Sequence, residues 1–340
     1  MITFIGEPLN GIYFGEETFS YPTGQAETYR KVLRESESRD LVESALCREY
    51  QAIISALKKM DIEFRILSSN PGPPDRSFIE RCIKEYGCLT LPLGNFPPYI
   101  TAYPKDLCTV IEKANLLLLN DRAVRTAVPM KNGWNSMVSR IGEGGYTLVR
   151  GSTMIVGSGL DDTPDTGIEV IKKAGINVVE FPSVVTSEYS RQQDFVTGIK
   201  CNGHIDRVAC LLEGKDGKMN LIVDPSLVTA DCCDPNPSRW FLRTPSQTRD
   251  LIRETFEPMG IKVHWPANLE IPCSPNLKQF RNGKVLMTRG EEALKELVTG
   301  IVGPKNLVET EIPIRFMPVW KRSGIGCKIC EFPISAMYNY

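Results

Sequence analysis

The chain has 340 residues, a net charge of -1, 42% hydrophobic residues and 24% charged residues. This composition excludes wholesale disorder, and the lack of a basic surplus argues against nucleic-acid binding. No apolar run is long enough for a membrane helix, and the N-terminal residues do not resemble a signal peptide. Eleven cysteines without such a signal are typical of reduced thiols, so we expect a cytoplasmic protein.

Helix and strand signals alternate from the N-terminus onward. The predicted helices carry apolar residues spaced to form one buried face, and they are residues 25–60, 75–86, 165–174 and 246–259. Each is followed by a β-branched or apolar run, at residues 61–67, 88–93, 176–181 and 261–265. At three of these junctions a turn residue stands where a left-handed residue commonly ends a helix, and these are Asp61, Gly175 and Gly260.

Three further stretches predict β-hairpins, and they are residues 146–157, 208–224 and 279–287. A unit of hairpin, helix and strand therefore recurs, which indicates a repeat architecture. Because the repeats are divergent, we predict an α/β fold in which ββαβ units close into a ring and leave few strand edges exposed. A doubly wound parallel sheet is the alternative, but hairpins are frequent and no G-x-G-x-x-G follows a strand. No linker divides the chain, which favours one domain over residues 1–340.

Only two histidines are available for proton transfer. His264 lies in the middle of a predicted strand, where a structural role is expected. His204 follows Asn-Gly at a predicted turn, and Asp206 comes two residues later. If both lie on a strand they point to the same face, an arrangement that favours proton chemistry. A solvated strand edge is the alternative interpretation.

Most cysteines lie in apolar or helical contexts, as Cys210 does, and are expected to act as small buried hydrophobes. Cys327 differs, because small residues precede it and Arg322 and Lys328 are close in sequence. Nearby cations stabilise a thiolate, so Cys327 is a candidate nucleophile. Cys327 and Cys330 also form a C-x-x-C, which leaves a redox dithiol or half of a zinc site open, although no second ligand pair is evident.

Two carboxylates stand at the start of predicted strands. Asp106 precedes the apolar run that begins at Leu107, and Glu143 is followed by Gly-Gly and a second apolar run. Glycines at such a point permit a close backbone approach. Together with His204, Asp206 and Cys327, these residues occupy four turn–strand junctions. A ring of repeats would bring such junctions together at one end of its centre.

In this order the four motifs resemble those of the guanidine-modifying enzymes of the pentein superfamily, which includes deiminases, dihydrolases and amidinotransferases. The motifs are Pro104-Lys105-Asp106, Glu143-Gly144-Gly145, Gly203-His204-Ile205-Asp206 and Ser323-Gly324-Ile325-Gly326-Cys327. The resemblance covers residues 100–335 and implies a pseudo-fivefold α/β propeller of ββαβ repeats. The sequence departs from the usual pattern at Lys105, where the family commonly has Arg, and at Tyr146 and Gly326.

The resemblance also implies roles for individual residues. Cys327 would attack the guanidino carbon, His204 would transfer protons, and Glu143 would keep His204 protonated. Asp106 and Asp206 would hold the guanidinium, and Arg322 matches a position that contacts the substrate in arginine deiminases. A guanidinium fork suits an α-carboxylate. This chemistry needs no metal or organic cofactor.

The activity expected from the resemblance is a cysteine hydrolase acting on L-arginine or a close guanidino analogue through a covalent thiouronium intermediate, with release of ammonia. An amidinotransferase using the same intermediate is one alternative, and a non-catalytic binding module on the same fold is another. The expected partner is a small guanidino molecule rather than nucleic acid or a membrane. A homo-oligomer is left open.

Overall fold

The computed structural model describes residues 2–6, 36–67, 81, 84–86, 88–89, 104–121, 127, 129–157, 166–182, 205–207, 209–224, 245–267, 269, 274–314 and 324–333. Within these ranges the chain is a mixed α/β protein. Four α-helices have printed bounds, α1 (Ser36–Lys59), α2 (Thr166–Lys173), α3 (Pro245–Phe256) and α4 (Glu292–Val302). Residues 81 and 84–86, inside the helix predicted at 75–86, are helical as well, and the rest of that prediction lies outside the described residues. None of these described helices is long and apolar enough to cross a membrane.

Sixteen short strands are described alongside these helices. The strands in the first half of the chain are β1 (Ile2–Gly6), β2 (Phe64–Leu67), β3 (Cys88–Leu89), β4 (Cys108–Ile111), β5 (Leu116–Asn120), β6 (Asn135–Ser139), β7 (Thr147–Arg150) and β8 (Thr153–Gly157). Those in the second half are β9 (Asn177–Phe181), β10 (Ala209–Glu213), β11 (Met219–Val223), β12 (Lys262–His264), β13 (Lys278–Gln279), β14 (Val285–Met287), β15 (Leu307–Glu309) and β16 (Ile329–Phe332).

The described strands form five sheets that share one pattern. Four of them contain three strands each, in the orders β4-β5-β6, β7-β8-β9, β10-β11-β12 and β13-β14-β15. In each, the first two strands are antiparallel and the third is parallel to the second. The fifth sheet, β16-β1-β2-β3, repeats this pattern with a strand from each end of the chain, because β16 pairs antiparallel with β1. The antiparallel pairs make the doubly wound parallel sheet wrong for the described residues.

The predicted hairpins and helix ends are confirmed. Residues 146–157 and 208–224 contain the antiparallel pairs β7–β8 and β10–β11, and the pair β13–β14 begins one residue before the predicted 279–287. Asp61, Gly175 and Gly260 all have φ between 55° and 77°, the left-handed conformation that ends each preceding helix. The helix expected at 165–174 is α2, and the one expected at 246–259 is α3 with a following 3-10 turn. The part of the first helix before residue 36 lies outside the described residues.

Each described helix packs its apolar face against strands, in most cases from two neighbouring sheets. In α1, Ile53 and Leu57 are fully buried in a cluster that also contains Ile5 of β1 and Ile66 of β2. In α3, Phe256 is buried in a second cluster with strands β10, β11 and β12. Burying such a side chain contributes about 1.5–3 kcal/mol, so these apolar helix faces stabilise the packing of helices on sheets.

The first strands of neighbouring sheets contact one another. The contacts are Thr109–Thr147 between β4 and β7, Leu148–Leu211 in a core shared by β7 and β10, Glu213–Gln279 between β10 and β13, Lys278–Glu331 between β13 and β16, and Cys330–Cys108 between β16 and β4. The first strand of every sheet therefore lies beside the first strands of two others, which gathers the segments that lead into these strands.

Candidate active site

The site is built from the short turns that precede the first strand of each sheet, which we name lead-in turns. Four of them contain a 3-10 helix, and these are Pro104–Leu107 before β4, Gly144–Tyr146 before β7, Ile205–Arg207 before β10 and Ile325–Lys328 before β16. The fifth comprises residues 274–277 before β13. The lead-in turn of β4 contacts those of β7 and β16, and the turn of β7 contacts that of β10.

Cys327 and Asp206 meet although 121 residues separate them in sequence. The thiol of Cys327 donates to Asp206 Oδ2 at 3.1 Å. Both side chains are withdrawn from solvent, with Cys327 3% and Asp206 1% exposed. The Cys327 thiol therefore lies against a buried carboxylate, and charge effects between them are strong because little water screens them.

Asn276 joins the two turns that carry Cys327 and Asp206. Its side-chain oxygen accepts from the backbone N–H of Cys327 at 3.1 Å, while its Nδ2 donates to the backbone carbonyl of Asp206 at 2.7 Å. Nδ2 also lies 3.1 Å from Cys327 Sγ. A backbone N–H can only donate and a carbonyl can only accept, so these partners fix the orientation of the amide.

Lys105 adds a positive charge to the same carboxylate. Its Nζ donates to Asp206 Oδ2 at 2.8 Å, and the Lys105 side chain is 23% exposed against 1% for Asp206. Burial on its own lowers the pKa of Lys105, but attraction to Asp206 and to Cys327 outweighs it, so the net pKa is raised. Lys105 is therefore a cation across the neutral pH range.

Two motif glycines allow the lead-in turns to approach this closely. A Cβ atom at Gly144 would lie 2.3 Å from the backbone oxygen of Lys105, and one at Gly326 would lie 2.5 Å from Asn276 Oδ1. Neither distance is compatible with a real side chain. The packing of neighbouring turns thus explains the glycine directly after Glu143 and the one directly before Cys327.

Lys328 is a second basic residue near Cys327. It is 4% exposed. Burial lowers the pKa of Lys328, against the attraction of Glu49 on α1 and of Cys327. Lys328 therefore lies near Cys327 as expected, although burial disfavours its charged form, and Lys105 is a basic residue near Cys327 that the sequence did not suggest. Arg322 lies outside the described residues.

Cys330, the second cysteine of the C-x-x-C, contacts a different thiol. Its Sγ lies 3.9 Å from that of Cys108, and both residues are buried. Burial raises the pKa of Cys108 well above its usual value, so this thiol stays protonated. Cys47, Cys108, Cys210, Cys327 and Cys330 form no disulfide, and no group of His, Cys, Asp or Glu that could hold a metal occurs within the described ranges.

The remaining predicted residues are placed as follows. Glu143 is 5% exposed and directly precedes the lead-in turn of β7, which contacts the turn that holds Asp206. Asp106 lies in the lead-in turn of β4, and its side chain is outside the described residues, as is all of His204. The structure thus brings Cys327 and Asp206 together, with the Glu143 segment beside them.

Two local expectations have definite outcomes. Asp206 was expected on a strand, two residues from His204 and facing the same way, but it lies in a 3-10 turn, where alternate residues do not share a face. His264 lies on a strand, as predicted, at the end of β12, and its Nε2 lies 2.9 Å from Asn220 Oδ1. Burial and then the charge of Lys262 lower the pKa of His264, which keeps it neutral near pH 7.

Sequence reasoning missed Asn276 and the direct part played by Lys105. A signal for Asn276 was present, because it comes two residues before the strand of a predicted hairpin, as Cys327 comes two before β16. Lys105 was noted only as a departure from the usual Arg. Cys210 behaves as expected of a buried structural thiol, since burial raises its pKa to about 11.

No protein-family model matches the chain, and no curated protein matches it by sequence. Among solved structures, it is similar to DDAH from Pseudomonas aeruginosa complexed with citrulline, with 13% identity, coverage of 97% of this chain and 98% of that one, and a TM-score of 0.47. An inosamine-phosphate amidinotransferase from Streptomyces griseus is 12% identical over 96% of this chain and 92% of that one, with a TM-score of 0.44. The N-terminal domain of ArgZ, a cyanobacterial arginine dihydrolase, is 12% identical over 74% of this chain and 83% of that one, with a TM-score of 0.41. These neighbours are all members of the pentein superfamily, whose motifs the sequence resembles.

Proposed function

We propose that this chain is a cysteine-dependent hydrolase of the guanidine-modifying type, which acts on the guanidino carbon of L-arginine or a close analogue and releases ammonia. One observation carries the proposal, the 3.1 Å contact of Cys327 Sγ with the carboxylate of Asp206. It sets a nucleophile beside a group that can hold a cation, in a site nearly closed to solvent. The ordered motifs of the sequence assign the same two residues to these two tasks.

The proposal includes the architecture around the site. We take residues 1–340 as a single domain, a pseudo-fivefold α/β propeller closed by the pairing of β16 with β1. Five sheets of one pattern support this closure, as do the contacts between first strands, which run from β4 through β7, β10 and β13 to β16 and back to β4. In such a ring the lead-in turns meet at one end of the centre.

The first chemical step would form the covalent intermediate. A guanidinium is planar and resonance-stabilised, so carboxylates that grip its N–H groups are needed to fix it for attack. Asp106 and Asp206 would provide that grip. The thiolate of Cys327 bonds to the guanidino carbon, the bond from that carbon to the leaving nitrogen breaks, and His204 gives its proton to the departing ammonia. Glu143 would keep His204 protonated for this step.

The second step would return the enzyme to its starting form. Water attacks the carbon of the thiouronium intermediate, and His204 accepts the proton that the water loses. The carbon–sulfur bond then breaks as the remaining hydroxyl proton passes to the released ammonia or to solvent, which frees a neutral urea-type product and the thiolate. Every proton given in the first step is thus regained in the second. Arg322 is the proposed contact for an α-carboxylate, which favours arginine over its decarboxylated analogue.

A panel of guanidino compounds, assayed for ammonia, tests this function. The wild-type protein should release ammonia from at least one compound, L-arginine being the first candidate, without any added amine. Cys327→Ala should abolish turnover, because no other group can form the covalent bond. Cys210→Ala is the matched control, since Cys210 is equally buried near the site but has no proposed role. Full activity of Cys327→Ala would refute the proposal.

The alternative functions predict different products. An amidinotransferase would release no ammonia from arginine but would modify an added amine acceptor. A non-catalytic binding module would turn over nothing, and a haloacetamidine would label Cys327 no faster than the other thiols. Selective labelling at Cys327, read by peptide mass spectrometry, supports a live nucleophile.

A further inference from the structure

One carboxylate oxygen in this site receives two hydrogen bonds of different character. Asp206 Oδ2 accepts from the ammonium of Lys105 at 2.8 Å and from the thiol of Cys327 at 3.1 Å. Because both donors contact the same atom, the ammonium and the sulfur are at most about 6 Å apart, within the range where one charge stabilises its opposite. The lead-in turn of β4 thereby holds its own cation at the nucleophile.

We propose that Lys105 is a built-in cation that holds Cys327 in its ionised, nucleophilic form before any guanidinium reaches the site. This inference rests on the proposed function only in taking Cys327 as the nucleophile. A carboxylate alone at 3.1 Å would oppose ionisation of the thiol, because two negative charges would face each other. The ammonium removes that opposition, since it pairs with Asp206 and also attracts the sulfur.

Asn276 and several titratable side chains also lie around the sulfur. Asn276 Nδ2, 3.1 Å from Sγ, can donate to a thiolate. The described titratable and charged groups that interact around Cys327 are Lys105, Asp206, Cys210 and Lys328, with Arg150 next to Cys210 and Glu49 next to Lys328. Cys210 remains protonated because burial raises its pKa to about 11. Lys105 is therefore the cation that contacts the carboxylate next to the sulfur and keeps its own charge.

Ionisation of Cys327 balances without a further reactant. The S–H bond breaks, both electrons stay on sulfur, and the proton passes to Asp206 Oδ2, the oxygen that already accepts the thiol hydrogen bond. From there it leaves to solvent, and Asp206 returns to a carboxylate paired with Lys105. The guanidinium, where it binds, then meets a thiolate that already exists.

Alkylation of Cys327 by neutral iodoacetamide, with no guanidine present, tests this proposal. Rates are measured across pH by mass spectrometry of the Cys327 peptide for wild type, Lys105→Met and Lys105→Arg. Burial of the sulfur slows alkylation by the same factor at every pH, so it does not change the pH at which the alkylation rate is half of its maximum. We expect a wild-type midpoint below the value of about 8.5 typical of free cysteine. Lys105→Met should raise it by about one unit or more, and Lys105→Arg should stay near wild type.

Lys113→Met is the matched control, because Lys113 is an exposed lysine in the 3-10 turn after β4. Its midpoint should equal that of wild type. If Lys105→Met does not fold, the wild-type midpoint still decides, and a value at or above that of free cysteine overturns the proposal. A folded Lys105→Met with an unchanged midpoint overturns it as well. No substrate takes part in the alkylation, so the two proposals can fail separately. A low wild-type alkylation midpoint in a protein that turns over no guanidine would refute the proposed function alone. Turnover by a protein whose alkylation midpoint is not lowered would refute only this inference.

Discussion

Replacement of Asn276 by Ala should weaken both the fold and the nucleophile, because one amide ties together two lead-in turns. The side chain is 3% exposed and accepts from the Cys327 backbone N–H while it donates to the Asp206 carbonyl. Alanine removes both bonds and the Nδ2 contact with Cys327 Sγ at 3.1 Å. In a site this dry, water does not readily replace the lost partners.

The size of the effect follows from these contacts. A buried hydrogen bond that loses one partner costs about 1–3 kcal/mol, so the loss of two costs roughly 3 kcal/mol in unfolding free energy. In a chain of this length that corresponds to a fall in Tm of about 6 °C, at about 2 °C per kcal/mol. Turnover should fall further, by roughly 100-fold in kcat/KM, because a shift of about 1 Å in a reacting atom has that effect.

Thermal unfolding followed by circular dichroism gives the stability change, and the ammonia assay below the variant's Tm gives the activity. Asn276→Asp keeps the shape but turns the donor into an acceptor that faces the Asp206 carbonyl, so it should be at least as damaging as Asn276→Ala. Asn306→Ala is the control, because Asn306 makes a single bond to the Val302 carbonyl at 2.9 Å. Wild-type Tm and wild-type turnover in Asn276→Ala would refute the reasoning.

Two further changes test local packing and pH dependence. Gly326→Ala should destabilise the fold and slow turnover, since its Cβ would meet Asn276 Oδ1 at 2.5 Å, whereas Gly300→Ala, in open space on α4, should raise Tm slightly. Equal Tm values for the two variants would contradict this. The pKa of His264 is lowered in the fold from its usual 6.5, because burial favours the neutral ring. The neutral ring therefore contributes its full stability above pH 6.5, and that contribution is lost as the pH falls from 6.5 through the lowered pKa of the folded state. His264→Gln, which can still hydrogen-bond Asn220, should therefore show a smaller drop in Tm than wild type between about pH 7 and pH 5; an unchanged drop would show that other groups dominate.

The recurring unit of hairpin, helix and strand could be predicted because its signals are local. The turn at 214–217 and the left-handed glycines at 175 and 260 mark chain reversals that neighbouring residues impose. The pairing of β16 with β1 could not be read from any local pattern. It joins residues more than 320 positions apart, from Ile2 to Phe332, and depends on packing of the whole chain.

The candidate site likewise contains residues that could be predicted from local sequence and residues that could not. Cys327 and Asp206 were identified by residue type and by short motifs that can be read directly from the sequence. Lys105 and Asn276 were not, because a lysine before Asp106 and an asparagine before β13 are ordinary at exposed turns. Their importance arises from distances of 2.7–3.1 Å to atoms far away in sequence, and only the meeting of the lead-in turns creates those distances.

Both proposals converge on Asp206, and this constrains how a guanidinium can bind. A carboxylate has about four lone-pair positions, and Oδ2 already accepts from Lys105 and Cys327. A guanidinium gripped by Asp206 would therefore use Oδ1, or displace the ammonium of Lys105 from Oδ2. In the first arrangement the guanidinium and the ammonium of Lys105 both lie near the thiolate of Cys327 and stabilise it further. In the second, the guanidinium replaces the ammonium, and the charge state of Cys327 is unchanged. Lys105→Met separates them through KM, because removal of a competitor lowers KM in the second arrangement, whereas in the first it lowers kcat through loss of the thiolate.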